Sequence, residues 1–256
     1  MMLSRRVIVC LDVQHGRVMK GVRFEQLRDV GDPVALAQRY ETEGADEITF
    51  LDISATAEDR ATLLDVVRAT AERLYVPLTV GGGVRGADDV GAALRAGADK
   101  VSINSAAVAN PEILSQSAFR FGSQCVVASI DARRATDGSW KVHTHGGRRA
   151  TSLDAVEWAE QCASFGAGEI LLTSMDCDGT RAGYDLDLTR AVVRAVNVPV
   201  VASGGAGSAQ HVADILTEGG ADAALVAGIL HDGAVTVQCI KERMEADAIP
   251  VRRAAK

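Results

Sequence analysis

Short apolar runs alternate with longer amphipathic stretches along the whole chain. The runs occupy residues 5–13, 47–53, 76–80, 100–104, 124–131, 169–176, 199–202 and 223–227, and Val, Ile, Leu and Ala dominate them. They are continuous rather than alternating, the pattern of strands buried on both faces of a parallel sheet. The stretches between them predict helices over 32–44, 60–73, 88–96, 153–165, 186–196, 209–218 and 234–246, with a further helix opened by Asn110-Pro111. Asp32-Pro33 is a strong start signal, an Asp cap followed by Pro at the first helical position, and Gly97 closes the helix before it. Eight strands alternating with eight helices predict one α/β domain, a (βα)8 TIM barrel. Three segments fall outside this rhythm. Residues 14–31 form a long polar connection that reads as a mobile loop, carrying Lys20 and Arg28. Asp137-Gly138 reads as a hairpin turn leading to a short extra strand over 140–144. The tail 250–256 is expected to fray.

The pattern repeats. Val76-Pro77-Leu78-Thr79-Val80-Gly81-Gly82-Gly83 returns as Val198-Pro199-Val200-Val201-Ala202-Ser203-Gly204-Gly205, with Pro77 and Pro199 122 residues apart. Gly44-Ala45-Asp46-Glu47 returns as Gly166-Ala167-Gly168-Glu169, Gly97-Ala98-Asp99 as Gly220-Ala221-Asp222, and Leu11-Asp12 as Ile130-Asp131. Matches in register at four strands imply two similar half-barrels, about 1–122 and 123–256, closed into one. A doubly wound open sheet, the rival architecture, does not require such a repeat.

In a barrel of this kind the chemistry sits at the C-terminal ends of the strands. The candidates there are Asp12, Asp52, Asn104, Asp131, Thr173, Asp176, Asp178 and Ser203. The repeat sets Asp12 and Asp131 opposite each other, a placement suited to general acid and general base on one substrate. Either aspartate alone would more simply cap a turn; the related pair favours catalysis. Glycines directly after a strand let the backbone approach an anion. The two glycine turns, with Gly82 and Gly83 in one and Gly205 in the other, therefore suggest two phosphate sites. Asn104 neighbours the first and Ala227-Gly228 the second. The line between the phosphate sites crosses the line between the aspartates, so a substrate with a phosphate at each end would place its middle at the carboxylates. Lys20 could cover a bound anion or simply be solvated. His143 and His145 have no third ligand at metal-binding spacing and read as surface polar residues. At the opposite rim Arg6, Glu47, Lys100 and Glu169 stand at strand starts, as a salt-bridge plug or as an entrance.

Composition narrows the class. The chain is 47% hydrophobic but only 4% aromatic, so the core is aliphatic. A net charge of −7 argues against nucleic-acid partners. Five scattered cysteines without a CxxC pair, and no signal peptide, fit a reducing cytoplasm. No apolar run approaches membrane-spanning length.

Several motifs together resemble one family. They are Cys10-Leu11-Asp12-Val13, Lys20-Gly21, Arg28-Asp29-Val30-Gly31-Asp32-Pro33, Phe50-Leu51-Asp52-Ile53, Thr79-Val80-Gly81-Gly82-Gly83, Ala98-Asp99-Lys100-Val101-Ser102-Ile103-Asn104, Asp176-Cys177-Asp178-Gly179-Thr180 and Ala202-Ser203-Gly204-Gly205. The chain is similar, from about Arg5 to His231, to the cyclase subunits of imidazole glycerol phosphate synthase. The resemblance implies a barrel partnered by a glutamine amidotransferase subunit in a heterodimer, working in histidine biosynthesis without a metal or redox cofactor. The substrate it implies is the bisphosphate N′-(5′-phosphoribulosyl)formimino-AICAR ribonucleotide, which reacts with ammonia to give imidazole glycerol phosphate and AICAR ribonucleotide. It puts catalysis on Asp12 and Asp131, and phosphate binding on Gly82, Gly83 and Asn104 and on Gly205, Ala227 and Gly228, with Lys20 on the covering loop. It makes Arg6, Glu47, Lys100 and Glu169 an ammonia gate and Asp99 a contact to the glutaminase. The chain departs from the family after strand eight, where Gly228 replaces a residue with a hydroxyl. Two alternatives remain open: the isomerase of the same pathway, which shares the aspartates and phosphate turns, and a non-catalytic barrel that only docks a glutaminase.

Overall fold

The computed structural model describes residues 3–22, 25–53 and 57–253. The first half of the chain runs β1 (Arg6–Gln14), β2 (Arg17–Val22), β3 (Glu25–Gly31), α1 (Pro33–Thr42), β4 (Glu47–Asp52), α2 (Ala57–Ala71), β5 (Leu78–Gly81), α3 (Ala87–Ala96), β6 (Lys100–Ile103), α4 (Ser105–Ala109) and α5 (Glu112–Phe121). The second runs β7 (Val126–Arg134), β8 (Trp140–Thr144), β9 (Arg149–Asp154), α6 (Ala155–Ser164), β10 (Glu169–Ser174), α7 (Leu186–Ala195), β11 (Val200–Ser203), α8 (Ala209–Thr217), β12 (Ala223–Val226), α9 (Gly228–His231) and α10 (Val237–Ala246).

Strands β1, β4, β5, β6, β7, β10, β11 and β12 pair in parallel in that order, and β12 returns to β1. The sheet is therefore closed, as the strand–helix alternation predicts. Strand side chains alternate between two faces. On β1, Val7, Val9 and Leu11 join the large core shared with the helices. Ile8 and Cys10 join Val127, Leu171, Val201, Ala223 and Leu225 in a second, smaller cluster that fills the barrel's interior. Helices are set by local chemistry: Asp32 caps α1 by accepting the Ala35 N–H at 2.8 Å, and Asp154, Asp185, Ser208 and Thr236 cap α6, α7, α8 and α10 in the same way. Among the described residues no helix is long and apolar enough to cross a membrane.

Four expectations are corrected. The loop expected over 14–31 is an antiparallel hairpin, β2 and β3, laid against the end of β1 with Asp12 opposite Met19. Val18 is buried, and Arg17 Nε meets Asp29 Oδ2 across the hairpin at 2.9 Å, so the segment has an inner and an outer face that its polar composition masks. The single extra strand expected after Asp137-Gly138 is joined by a second, β9, and the helix expected from 153 begins only after the Asp154 cap. A one-turn helix, α4, precedes the helix expected after Asn110-Pro111.

The tail is the fourth correction. Residues 254–256 lie outside the described residues, but 250–253 are docked rather than frayed. Val251 bridges Arg5, and Pro250 O accepts the Arg5 N–H at 2.8 Å. The anchor is buried Asp46, which accepts from the Val7 N–H at 2.8 Å, from Lys241 Nζ at 2.7 Å and from Arg252 Nε at 3.0 Å. Lys241 Nζ also donates to Arg252 O at 2.8 Å. A buried carboxylate holding two cations and a backbone N–H is fully used, and removing it leaves Lys241 uncompensated. Asp46→Ala should therefore lower unfolding stability by about 3–5 kcal/mol in urea titrations; a loss under about 1 kcal/mol would mean that water replaces the carboxylate.

Candidate active site

Asp12 and Asp131 lie near the ends of β1 and β7, each on the inward set of its strand. Both are half-buried at the barrel mouth, deep enough that protein rather than water surrounds the charge. Cys10 Sγ is 3.8 Å from Asp12 Oδ1, and Asn104 Nδ2 donates to Asp131 Oδ2 at 2.9 Å. Thr173 on β10 stands in register with Asp131, and Ser203 on β11 with Thr173, so three predicted residues form one row across neighbouring strands. Both carboxyls are pushed up from 3.8 to about 6, first by burial and then by the negative charge of Asp178. Asp178 sits on the turn after β10, its N–H bonded to Ser174 O at 2.9 Å. Its field therefore reaches both sides of the mouth.

The two glycine turns follow β5 and β11. Gly82 has φ +92°, and a Cβ there would sit 2.3 Å from Asp52 O. Gly205 has φ +106°, and its Cβ would sit 2.0 Å from Gly183 O. Each position demands glycine twice over, by backbone angle and by close approach. Gly83 also has positive φ. After the neighbouring strands β6 and β12, Asn104 (φ −116°, ψ −89°) and Ala227 (φ −135°, ψ −82°) share an unusual conformation, and each leads into a one-turn helix. Asn104 Oδ1 is buried with no hydrogen-bond partner among the described residues, an unspent acceptor beside the Asn104–Asp131 contact. Lys20, on β2, donates from Nζ to Gly228 O at 3.0 Å. Its Cε and Nζ lie 3.8 and 3.9 Å from where a Gly228 Cβ would be, ordinary contact distance, so Lys20 packs directly over this position.

At the other end of the barrel the four rim charges form a closed ring. Arg6 donates to Glu47 and to Glu169, each at 2.6 Å, and Lys100 meets the same two carboxylates at 2.9 Å. Burial works against the Arg6 charge, but Glu169 and Glu47 outweigh it and its pKa is raised. Asp99, next to Lys100, accepts the Leu78 N–H at 2.8 Å and lines a surface cleft with Tyr75, Pro77 and Gly97. Tyr75 is 97% exposed beside it.

Several residues near the site carry no signal in the sequence. His143, expected at the surface, is buried because β8 folds back onto β7 and places it opposite Asp131. His145 is exposed, as expected, and its backbone N–H reaches Ser105 Oγ at 2.9 Å beside the first turn. His231 joins three elements: Nε2 lies 3.0 Å from Cys10 O and Nδ1 lies 2.7 Å from Tyr40 Oη. A carbonyl only accepts, so Nε2 carries the proton and Nδ1 accepts from the tyrosine. Burial lowers the His231 pKa to about 4, which keeps this neutral tautomer. The tie between the α9 turn and the Asp12 strand spans the ends of the chain, where no local spacing could reveal it. Among the described residues, no three His, Cys, Asp or Glu side chains gather as metal ligands.

The raised aspartates have a consequence for stability. A carboxyl with folded pKa about 6 and unfolded value 3.8 binds its proton more tightly when folded. The stability this supplies is fully present below about pH 4 and is lost as pH rises through about 6. Asparagine cannot ionise, so Asp12→Asn and Asp131→Asn should each be more stable than the parent at about pH 8, by up to about 3 kcal/mol, and match it near pH 4. Urea unfolding at both pH values measures this. Variants that are weaker at both would show that the carboxylates make net stabilising contacts instead.

Residues 6–236 match the family model described as "Histidine biosynthesis protein". The chain is also 68% identical over 251 residues to the imidazole glycerol phosphate synthase subunit HisF of Myxococcus xanthus (strain DK1622), a match covering 98% of this chain and 99% of that protein. Identity at this level across both full lengths, on a barrel bearing these strand-end residues, places the chain in the histidine biosynthesis protein family, among the HisF subunits of imidazole glycerol phosphate synthase.

Proposed function

We propose that the chain is the cyclase subunit of imidazole glycerol phosphate synthase, a lyase that uses ammonia from a glutamine amidotransferase subunit, its partner in a heterodimer. The observation that carries the catalytic assignment is the pair of carboxyls held near pKa 6 at one mouth, between two glycine turns that only glycine can form. The bisphosphate N′-(5′-phosphoribulosyl)formimino-AICAR ribonucleotide lies across the mouth with one phosphate at Gly82, Gly83 and Asn104. The other sits at Gly205, Ala227 and Gly228 under Lys20. Thr173, Ser203 and Asp178 border the reacting middle. Ammonia enters through the ring of Arg6, Glu47, Lys100 and Glu169, passes the apolar interior side chains and attacks the ribulosyl carbonyl. One aspartate protonates the departing oxygen; the other handles protons during cleavage and ring closure. A pKa near 6 suits both roles, since one group can hold a proton while the other is ionised. Asp99 and the cleft beside Tyr75 face the glutaminase. The matching conformations of Asn104 and Ala227 support a single domain grown from two half-barrels, about 1–122 and 123–256. In this reading the subunit works in the cytoplasm, where its cysteines, all free, stay reduced.

The test is cyclase turnover of the bisphosphate with a saturating ammonium salt at about pH 8.5, where some free ammonia is present. The parent should turn over, and Asp12→Asn and Asp131→Asn should each lose about 10²- to 10⁴-fold in kcat while remaining folded. Substrate binding without turnover in the parent would instead identify a barrel that only docks the glutaminase. For the ring, Lys100→Ala should leave ammonium-driven turnover close to the parent's and change glutamine-driven turnover of the two-subunit complex several-fold. Equal effects on both would remove the gate assignment.

A further inference from the structure

Three cations converge on one carboxylate beside the second glycine turn. Asp232 pairs with Lys20, with Arg28 Nη2 at 2.6 Å and with Arg181. The three come from different places: Lys20 and Arg28 from the β2–β3 hairpin, Arg181 from the connection between β10 and α7. This contact set carries three positive charges against one negative.

The backbone places the cluster at the turn. Arg181 O lies 1.9 Å from where a Cβ on Gly207 would be, and Gly183 donates its N–H to Gly205 O at 2.9 Å. Residues 181–183 therefore run directly along the turn that holds Gly205. Arg181 itself has φ +60°, a left-handed conformation that a non-glycine residue adopts only under constraint. On the other side Lys20 lies against Gly228. The cations thus border the second glycine turn on two sides, with Asp232 between them. The two surplus positive charges equal the charge of a phosphate monoester dianion.

We propose that Arg28 and Arg181 are binding residues for the phosphate held at the Gly205 and Gly228 end, and that Asp232 is a resident carboxylate which holds them with Lys20 until that phosphate displaces it. The inference rests on the bisphosphate substrate proposed above and assigns the cations that recognise one of its ends. It also accounts for Gly228: cationic side chains supply the donors that a hydroxyl at this position would have given. Arginine is suited to the task, because its fork of N–H groups matches phosphate oxygens in pairs.

The experiment titrates the bisphosphate substrate into the full chain by calorimetry, with ³¹P NMR of the bound substrate, for the parent, Arg28→Gln, Arg181→Gln and Asp232→Asn. Inorganic phosphate serves as a second probe. Arg28 and Arg181 are both exposed, so their variants should fold. Each arginine variant should weaken substrate binding about tenfold and shift only one of the two phosphate resonances. Asp232→Asn removes the competing anion and should tighten binding several-fold for both probes. Arginine variants with unchanged affinity would overturn the inference, as would an Asp232→Asn variant that weakens binding, since Asp232 would then be a scaffold. If Gly205→Ala abolishes binding while the arginine variants do not weaken it, the inference fails and the proposed substrate stands. A parent that does not bind the bisphosphate sinks both.

Discussion

A closed parallel barrel gives each strand one set of alternate residues to put inside, and the structure depends on how those few positions are used. On β1 the set is Arg6, Ile8, Cys10 and Asp12: a charge, two apolar side chains and a second charge. On β7 it is Val127, Ser129 and Asp131, and on β10 it is Glu169, Leu171 and Thr173. The interior is thereby layered. A ring of ion pairs closes one end, apolar side chains fill the middle, and carboxylates and hydroxyls stand at the other. A shift of register by one residue would exchange every one of these for the outward apolar set, so strand pairing and function are constrained together.

The two charged ends are satisfied differently. At the lower rim each cation of the ring meets two carboxylates and each carboxylate two cations, so the four charges are mutually compensated. At the mouth, Asp12 and Asp131 lie within the field of a third acid, Asp178, and burial together with that like charge lifts both to about 6. Cost in stability is thus concentrated at the mouth, the pattern of shifted carboxyls that marks functional clefts in general. Asn104 shares this character: its amide nitrogen steadies Asp131, and its amide oxygen has no partner among the described residues.

The hairpins add a second tier over the mouth. β2–β3 follows the strand of Asp12 and carries Lys20 to the turn after β12. β8–β9 follows the strand of Asp131, and its turn reaches Ser105 beside the turn after β6. Each hairpin thus leans from an aspartate strand toward the end of a neighbouring barrel strand. His231 ties the α9 turn back to β1 through the Cys10 carbonyl, so the base of Asp12 and the second turn are fixed to one another.

Much of this was legible in the chain. Continuous apolar runs, Asp and Asn at their ends and a half-chain repeat specify the barrel, the aspartates, the glycine turns and the rim charges, because each depends on residues close in sequence and on the two-residue period of a strand. The glycines are legible for the same local reason: only they tolerate the angles and approaches at 82 and 205. What the tertiary structure alone decided are pairings across long separations. Polar composition over 14–31 says nothing of a hairpin until β1 offers it an edge, and a terminal Pro250-Val251-Arg252 looks loose until Asp46 lies beneath it. The convergence of Lys20, Arg28 and Arg181 on Asp232 joins residues up to 212 positions apart. Charge patterns report periodicity along a segment, whereas such clusters depend on which loops the closed barrel brings to one rim, and closure is a property of the whole chain.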